Sequence, residues 1–316
     1  MSAKSRALFF GTPEFAATAL EELLRADSAV EVVGVVTQPD RPVGRKQVLT
    51  PPPVKRLADE RGVPVLQPET LRRRSVIADL ARLEPDVGIV AAYGKILRTA
   101  VLALPTLGHL NVHASLLPRW RGAWPIGAAI RAGDEETGVT IMQLDDGLDT
   151  GPLLASGREP IYPDDTTRSL EPRLARLGAE LLRETLPAYL RGDLQPQPQD
   201  EAQVTHCRAV EKADGQIDWS RSAAEIERHV RAMTPWPSAW TTWQGKQLRV
   251  LRAHYVERGG GVPGMVVPAG RGAEVMTAEW ALALDYVQLE GRRPSPIDWF
   301  VNGYRELLGS RLGSAE

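Results

Sequence analysis

The stretch DVGIVAA, residues Asp86–Ala92, decides the fold, because it is apolar at every position after its first residue. The stretch VEVVGVVT, Val30–Thr37, has nearly the same character. A strand with one face in water alternates apolar and polar residues, whereas a strand covered on both faces is apolar along its length. Both stretches therefore predict strands inside a sheet that has helices on both faces.

Helical segments alternate with strands along the N-terminal part of the chain, which predicts an open, mostly parallel sheet. Further strands are predicted at Ala7–Phe10, Val63–Leu66, Gly108–His113 and Val139–Leu144. Helices are predicted at Pro13–Leu24, Pro51–Arg61, Ser75–Leu83 and Thr166–Leu190, the last interrupted early by Pro172.

The chain changes character at QPQPQ, Gln195–Gln199, where prolines alternate with polar residues as in a stiff linker. Six of the eight tryptophans follow it, with one helix over Ala223–Met233 and several short strands. Closely spaced short strands predict a small barrel. These strands are predicted at Gln247–Ala253, Gly264–Val267, Ala273–Thr277 and Trp280–Gln288. We predict a first domain over 1–194, a linker over 195–207 and a second domain over 208–316.

Length and charge limit the function classes. A chain of 316 residues fits two domains, and its net charge of -2 excludes binding of nucleic acid or membrane by bulk charge alone. A local basic patch is compatible with that balance. The single cysteine, Cys207, fits a reducing cytosol and is predicted to be a partly buried apolar residue. The sequence has no membrane-spanning apolar run and no secretory signal, so we predict a cytoplasmic protein with no membrane partner.

The segment GHLNVHASLLPRWRG, Gly108–Gly122, holds the candidate chemistry. On a strand, Asn111 and His113 share one face, and His113 stands at the carboxyl end, where ligands of open parallel sheets bind. An amide beside an imidazole suits an anionic oxygen, such as that of a tetrahedral intermediate in acyl transfer. The alternative is an ordinary hydrogen-bonded pair at the end of a strand.

Two further features bear on this segment. His109 and His113 have the spacing of metal ligands on a helix, but the segment is predicted as a strand and no Glu follows His109, so we predict no metal.

The second feature is the acidic loop that holds Asp145, Asp146 and Asp149 with two glycines. Alone it could be a turn or a weak calcium or magnesium site. Beside an imidazole, one carboxylate would orient the ring and position a proton.

Long, ordered stretches of the chain resemble the methionyl-tRNA formyltransferase family over nearly its whole length. They are FFGTPEFA, VVTQPDRPVGR, PPPVKRLA, VAAYGKIL, LNVHASLLPRWRGAWPI, GDEETGVTIMQLDDGLDTGPLL, GQIDWS and TPWPSAW. The resemblance implies an α/β chain: a Rossmann-like formyltransferase domain with a mostly parallel sheet, followed by a smaller OB-like β-barrel domain. Trp124 departs from the pattern, since the family usually has a small residue there.

The resemblance also implies the site and the reaction. Asn111, His113 and Asp149 match the family's catalytic trio. Its folate-binding loop matches at Ser115, Leu116, Leu117 and Pro118. The implied reaction moves a formyl group from the cosubstrate 10-formyltetrahydrofolate to the α-amine of methionine on initiator tRNA, with no metal. We predict that the protein acts as a monomer.

Cations in two segments are candidates for contacts with tRNA phosphates. Glycine and proline in Arg41–Lys46 indicate a loop, and Arg41, Arg45 and Lys46 would clamp phosphates there. The family's corresponding loop contacts the acceptor stem. Arg228 and Arg231 lie one helical turn apart and would follow one phosphate track. All of them could instead be solvated surface groups.

Two other functions are compatible with these residues. One is a formyltransferase that acts on a small amine, since its catalytic trio would look the same. The other is a non-catalytic RNA-binding protein built on an inactive enzyme domain. The intact trio favours an enzyme, and the second domain with the Arg41–Lys46 segment favours tRNA as the acceptor.

Overall fold

The computed structural model describes residues 4–44 and 46–313. The chain divides into two compact units. Unit 1 comprises residues 1–125, 136–160 and 171–208, and unit 2 comprises residues 126–135, 161–170 and 209–316. The domain boundaries at 194 and 208 stay a prediction.

The helices and strands alternate in the N-terminal two thirds of the chain, and strands dominate after it. The helices are α1 (Glu14–Leu23), α2 (Pro53–Glu60), α3 (Arg74–Ala81), α4 (Thr99–Leu102), α5 (Pro125–Ala132), α6 (Thr167–Leu190), α7 (Ala223–Ala232) and α8 (Ile297–Gly303). The strands up to residue 207 are β1 (Ser5–Gly11), β2 (Val30–Val36), β3 (Arg41–Val43), β4 (Val48–Thr50), β5 (Val65–Leu66), β6 (Val87–Ala91), β7 (His109–His113), β8 (Arg121–Gly122), β9 (Glu136–Gln143), β10 (Leu153–Pro160) and β11 (His206–Cys207). The later strands are β12 (Ala239–Trp243), β13 (Lys246–Val256), β14 (Val266–Ala269), β15 (Gly272–Met276), β16 (Ala281–Leu289) and β17 (Ser295–Pro296).

A seven-stranded sheet forms the centre of unit 1, in the order β10-β9-β7-β6-β1-β2-β5. The strands from β7 to β5 are parallel, whereas β9 runs antiparallel to β7, and β10 antiparallel to β9. All five residues of β6 are buried, as its continuous apolar sequence requires. The mostly parallel sheet is therefore confirmed. Its apolar cluster on one face includes Leu8, Phe10, Val36, Leu80, Val90 and Tyr93.

Three parts of unit 1 differ from the prediction. Helix α6 continues through Pro172, although proline removes one helical hydrogen bond, and the flanking Leu170 and Leu174 are fully buried. The segment that begins at Arg41 is a hairpin, because β3 pairs antiparallel with β4. Strand β10 was missed, because it lies at the edge of the sheet and its residues alternate between partly buried and exposed along most of its length.

Unit 2 contains a six-stranded sheet in the order β12-β13-β16-β15-β14, with β17 paired to β16, and all its pairings are antiparallel. The four strands predicted in this part of the chain are present, and β12 and β17 are additional. Helix α7 is preceded by its N-cap residue Ser222, whose hydroxyl accepts a hydrogen bond from the Glu225 amide in a capping box. The β-rich character predicted for this part of the chain is confirmed.

No helix in residues 4–44 or 46–313 combines the length and apolarity that a bilayer crossing needs.

Gly88, in the middle of DVGIVAA, makes room for His109 on the neighbouring strand. A Cβ atom at residue 88 would lie 2.1 Å from the imidazole Cδ2 of His109. The His109 ring is only 2% exposed and lies 5.7 Å from the Phe10 ring, centroid to centroid. His109 is therefore a packed core histidine, and its burial lowers its pKa to about 4.

Acid is expected to destabilise unit 1 through His109. Its pKa lies below the ordinary 6.5, so between those values the unfolded chain binds a proton that the folded chain does not. The contribution of neutral His109 to the free energy of unfolding is therefore complete above pH 6.5. It decreases as the pH falls towards 4, and about 2 kcal/mol of it is lost at pH 5. Urea unfolding at pH 7.5 and 5 should show a smaller acid loss for His109→Leu than for wild type. An equal loss in His109→Leu would contradict this prediction, and His206→Ala, at an exposed position, is the control.

Candidate active site

Strand β7 brings two of the candidate side chains to one face of the sheet. It lies between β6 and β9, with Asn111 opposite Met142 and His113 opposite Thr140. Asn111 and His113 alternate with the apolar Val112, as predicted, and both are more than nine-tenths buried. His113 is the last residue of the strand, at its carboxyl end.

Asp149 reaches both of these side chains from the loop after β9. Its Oδ1 accepts a hydrogen bond from Asn111 Nδ2 at 3.4 Å, and its Oδ2 lies 3.7 Å from His113 Nδ1. The Gly122 amide also donates to Oδ2, at 2.8 Å. The carboxylate is 12% exposed. The structure therefore brings Asn111, His113 and Asp149 together.

The second ring nitrogen of His113 faces the backbone. Its Nε2 lies 3.0 Å from the carbonyl oxygen of Trp120. A carbonyl only accepts hydrogen bonds, so this nitrogen carries the proton. The Asp149 carboxylate faces Nδ1 at an ion-pair distance and the Trp120 carbonyl faces Nε2 at a hydrogen-bond distance, so the surroundings of the ring favour a positive charge on it.

The three carboxylates of the acidic loop have different hydrogen-bond partners. Asp145 Oδ1 accepts from the Gly147 amide at 3.0 Å and from the Thr150 hydroxyl at 2.7 Å, so it stabilises its own turn. Asp146 is exposed and accepts from the Thr99 hydroxyl at 3.0 Å. Only Asp149, among these three, points towards β7. Its backbone has φ of 54°, in the left-handed region that Asp tolerates better than most residues.

The four residues Ser115–Pro118 follow β7 and are fixed by β9. Thr140, on β9, donates its hydroxyl to the Ser115 carbonyl at 2.7 Å and accepts from the Leu117 amide at 3.1 Å. The Ser115 hydroxyl donates to the Arg119 carbonyl at 2.6 Å. Ser115 and Leu117 are buried, whereas Leu116 and Pro118 are partly exposed. This loop is therefore a fixed wall directly beside His113.

Residues that the sequence analysis missed lie behind the trio. Gln199 Nε2 donates to the carbonyl oxygens of Asp149 and Gly151, at 2.8 and 2.7 Å. Thr205 Oγ1 accepts from the Trp120 amide at 2.9 Å. Both come from the segment predicted as a linker, whose alternation of Pro and Gln gave no sign of such contacts. Cys207, at its end, is buried as predicted, and burial raises the pKa of its thiol.

The candidate tRNA-binding residues occupy two separate settings. Arg41 and Lys46 are exposed on the β3–β4 hairpin, and Arg45 lies outside the described residues. Arg228 and Arg231, on α7, are partly buried. Arg231 donates to the Asp165 carbonyl at 2.9 Å and lies 3.8 Å from a Glu227 carboxylate oxygen. Arg41 also donates to the side-chain oxygen of Gln38, and Arg231 is held within unit 2.

Across residues 4–44 and 46–313, no group of three or more His, Cys, Asp or Glu side chains is placed to hold a metal ion.

Comparison with known proteins identifies the family of this chain. Residues 4–186 match the family described as Formyl transferase, and residues 209–305 match Formyl transferase, C-terminal domain. The methionyl-tRNA formyltransferase of Roseiflexus sp. is 49% identical over 98% of this chain and 96% of its own. That of Myxococcus xanthus is 49% identical over 98% of both chains.

Two solved structures share the fold. The N-formyltransferase from Helicobacter canadensis, in complex with folinic acid and dTDP-3-aminofucose, has a TM-score of 0.65 and 16% identity, over 89% of this chain and 98% of that one. HypX from Aquifex aeolicus, in complex with tetrahydrofolic acid, has a TM-score of 0.62 and 18% identity, over 97% of this chain and 48% of that one. By its sequence matches over nearly its full length, this chain belongs to the methionyl-tRNA formyltransferase family.

Proposed function

We propose that this protein transfers the formyl group of 10-formyltetrahydrofolate to the α-amine of methionine on initiator tRNA. The convergence of Asn111, His113 and Asp149 at the end of β7 carries the proposal. The names of relatives about half identical to this chain support methionyl-tRNA as the acceptor. We propose that it acts in the cytoplasm as a monomer.

Asn111 is proposed to stabilise the oxyanion. The methionine amine attacks the formyl carbon, a C–N bond forms and the carbonyl electrons move to oxygen. One hydrogen of the Asn111 amide faces Asp149, which leaves the second for that oxygen. A positioned donor of this kind is typically worth ~10²–10³-fold in rate.

His113 is proposed to supply positive charge, and Asp149 is proposed to transfer the proton. The attacking nitrogen becomes cationic and must lose a proton, and N10 of the folate must gain one as the C–N10 bond breaks. Asp149 accepts the amine proton through water and holds the imidazolium form of His113, which lies 3.7 Å away. The imidazolium supplies positive charge beside the oxyanion. The proton returns to N10, so atoms and charge balance.

The loop Ser115–Pro118 is proposed to hold the folate next to the trio. Its backbone is fixed by Thr140 on both sides of Leu116, so the loop offers a preformed surface. Leu116 and Pro118 are partly exposed and offer apolar contacts to a flat ring.

An acceptor assay tests the proposed function. Wild-type protein, 10-formyltetrahydrofolate and charged initiator tRNA should give N-formylmethionine after hydrolysis of the ester. Free methionine, glycinamide ribonucleotide and amino sugars are the competing acceptors. If a small amine is formylated efficiently and the charged tRNA is not formylated at all, the proposal is overturned.

Arg41, Arg45, Lys46, Arg228 and Arg231 are proposed as tRNA contacts, and Arg45→Ala is expected to weaken the use of tRNA more than the use of folate. Loss of one phosphate contact should raise KM for tRNA and lower the slope of log affinity against log salt by about one unit. The kcat should stay near the wild-type value. Arg72→Ala, at an exposed arginine with no proposed role, is the matched control. An unchanged salt slope in Arg45→Ala would make Arg45 a solvated bystander.

A further inference from the structure

One segment of unit 1 supports the trio from behind. We call residues Gln199–Cys207 the strap. At one end, Gln199 contacts the backbone of the Asp149 loop, and at the other, β11 pairs in parallel with β8. Between them, the Thr205 hydroxyl accepts from the amide of Trp120, whose carbonyl faces His113. The strap therefore contacts the backbone of the Asp149 loop and of Trp120, and these two segments position Asp149 and His113.

Asp149 needs such support because of its backbone. A φ of 54° is disfavoured for residues with a Cβ, and such strain persists only where surrounding contacts determine the conformation. The four residues before it, 145–148, are exposed. The carbonyl groups of Asp149 and Gly151, by contrast, both accept from one amide nitrogen of Gln199. These two bonds fix the turn that points the Asp149 carboxylate towards β7.

The orientation of the Gln199 amide is set by Arg121. The Arg121 guanidinium is almost fully buried, and its Nε and Nη2 donate to Gln199 Oε1 at 3.0 and 2.9 Å. Glu201 holds the other side of the same guanidinium, with Nη2 to Oε1 at 2.7 Å. Since the amide oxygen must face these donors, the amide NH₂ must face the two carbonyls.

We propose that Gln199 is a positioning residue for formyl transfer, which acts through Asp149 by holding its left-handed turn. The proposal rests on the proposed role of Asp149 in the reaction. It predicts that Gln199 affects the chemical step and not the binding of either substrate, because its side-chain hydrogen bonds within residues 4–44 and 46–313 go to Arg121, Asp149 and Gly151.

Gln199→Ala is expected to lower kcat by ~10–10²-fold, the usual cost of losing a supporting hydrogen bond at a site. KM for folate and for tRNA should stay within about twofold of wild type. Gln199→Glu should be no better, because a carboxylate oxygen would face the two carbonyl oxygens. The matched control is Gln197→Ala, two residues earlier in QPQPQ, where the exposed side chain donates to the Gln195 carbonyl. It should keep wild-type kcat.

A double mutant separates positioning from a general loss of structure. If Gln199 acts through Asp149, Gln199→Ala should lower kcat by no more than about threefold in an Asp149→Asn background. An undiminished ~10–10²-fold loss there, or a wild-type kcat in the single variant, would overturn the proposal.

Hydrogen exchange gives a readout that does not depend on the acceptor. Amides of residues 147–151 should exchange faster in Gln199→Ala than in wild type and in Gln197→Ala. Unchanged exchange would refute the positioning role, whatever reaction the protein performs. If wild type fails to formylate charged tRNA while the exchange changes as expected, the proposed function fails and the structural role of Gln199 stands.

Discussion

His113→Ala is expected to lower kcat by ~10²–10⁴-fold. The imidazole is the one cationic candidate inside the trio, held between the Asp149 carboxylate and the Trp120 carbonyl. Its loss removes the positive charge beside the oxyanion. Folate binding should change little, because the folate loop is fixed by the Thr140 hydroxyl and by the His113 backbone carbonyl, both of which His113→Ala retains. Single-turnover kinetics and a folate titration measure the two effects separately.

The control for this variant is His254→Ala, which removes an exposed imidazole from unit 2 and should leave kcat unchanged. The melting temperature should fall only slightly in His113→Ala, since the side chain is at the end of a strand. A protein that unfolds in His113→Ala, while its folded fraction keeps wild-type kcat, would make His113 a structural residue and end the catalytic assignment.

Asp149→Asn is expected to lower kcat by a similar ~10²–10⁴-fold while leaving the loop intact. Asparagine has nearly the same shape as aspartate and tolerates a positive φ, so the turn at 54° can persist. Its amide oxygen can still accept from the Gly122 amide, but the negative charge that stabilises an imidazolium is gone. The effect is therefore electrostatic, and pre-steady-state rates of formyl transfer measure it directly.

The double variant His113→Ala/Asp149→Asn should be scarcely slower than either single one, because residues that act as a unit do not add. Asp146→Asn is the control for charge, since Asp146 is exposed in the same loop and faces Thr99. Multiplicative losses in the double variant would show that the two groups act independently. A low kcat in Asp146→Asn would mean that the net charge of the loop matters more than the position of Asp149.

The fold could be predicted where burial leaves a pattern in the sequence. Strands β2 and β6 were predicted because a strand covered on both faces must be apolar throughout. The hairpin of β3 and β4 was missed for the opposite reason: nearly all its residues are exposed, so no alternation marks it. Pro172 predicted an interruption of α6 that packing of its buried leucines overrides.

The site could be predicted only in part. Strand periodicity placed Asn111 and His113 on one face, but three carboxylates in one loop are equivalent by sequence, and only the family resemblance selected Asp149. Gln199 left no signal, because a side chain that bonds to backbone carbonyls about fifty positions away has no periodicity. The prolines beside Gln199 predicted an extended chain. An extended chain occurs both in a linker and in a segment that packs against a site, so the pattern did not distinguish the two.

The late position of the strap in the chain gives the site an order of assembly during translation. The last strand of the sheet in unit 1 ends at Pro160, whereas the strap begins at Gln199. At a synthesis rate of ~5–20 residues per second, the ribosome adds the strap several seconds after the sheet has all its strands. A nascent chain arrested before Gln199 would therefore carry Asn111, His113 and Asp149 on a complete sheet, with the turn at Asp149 still unsupported.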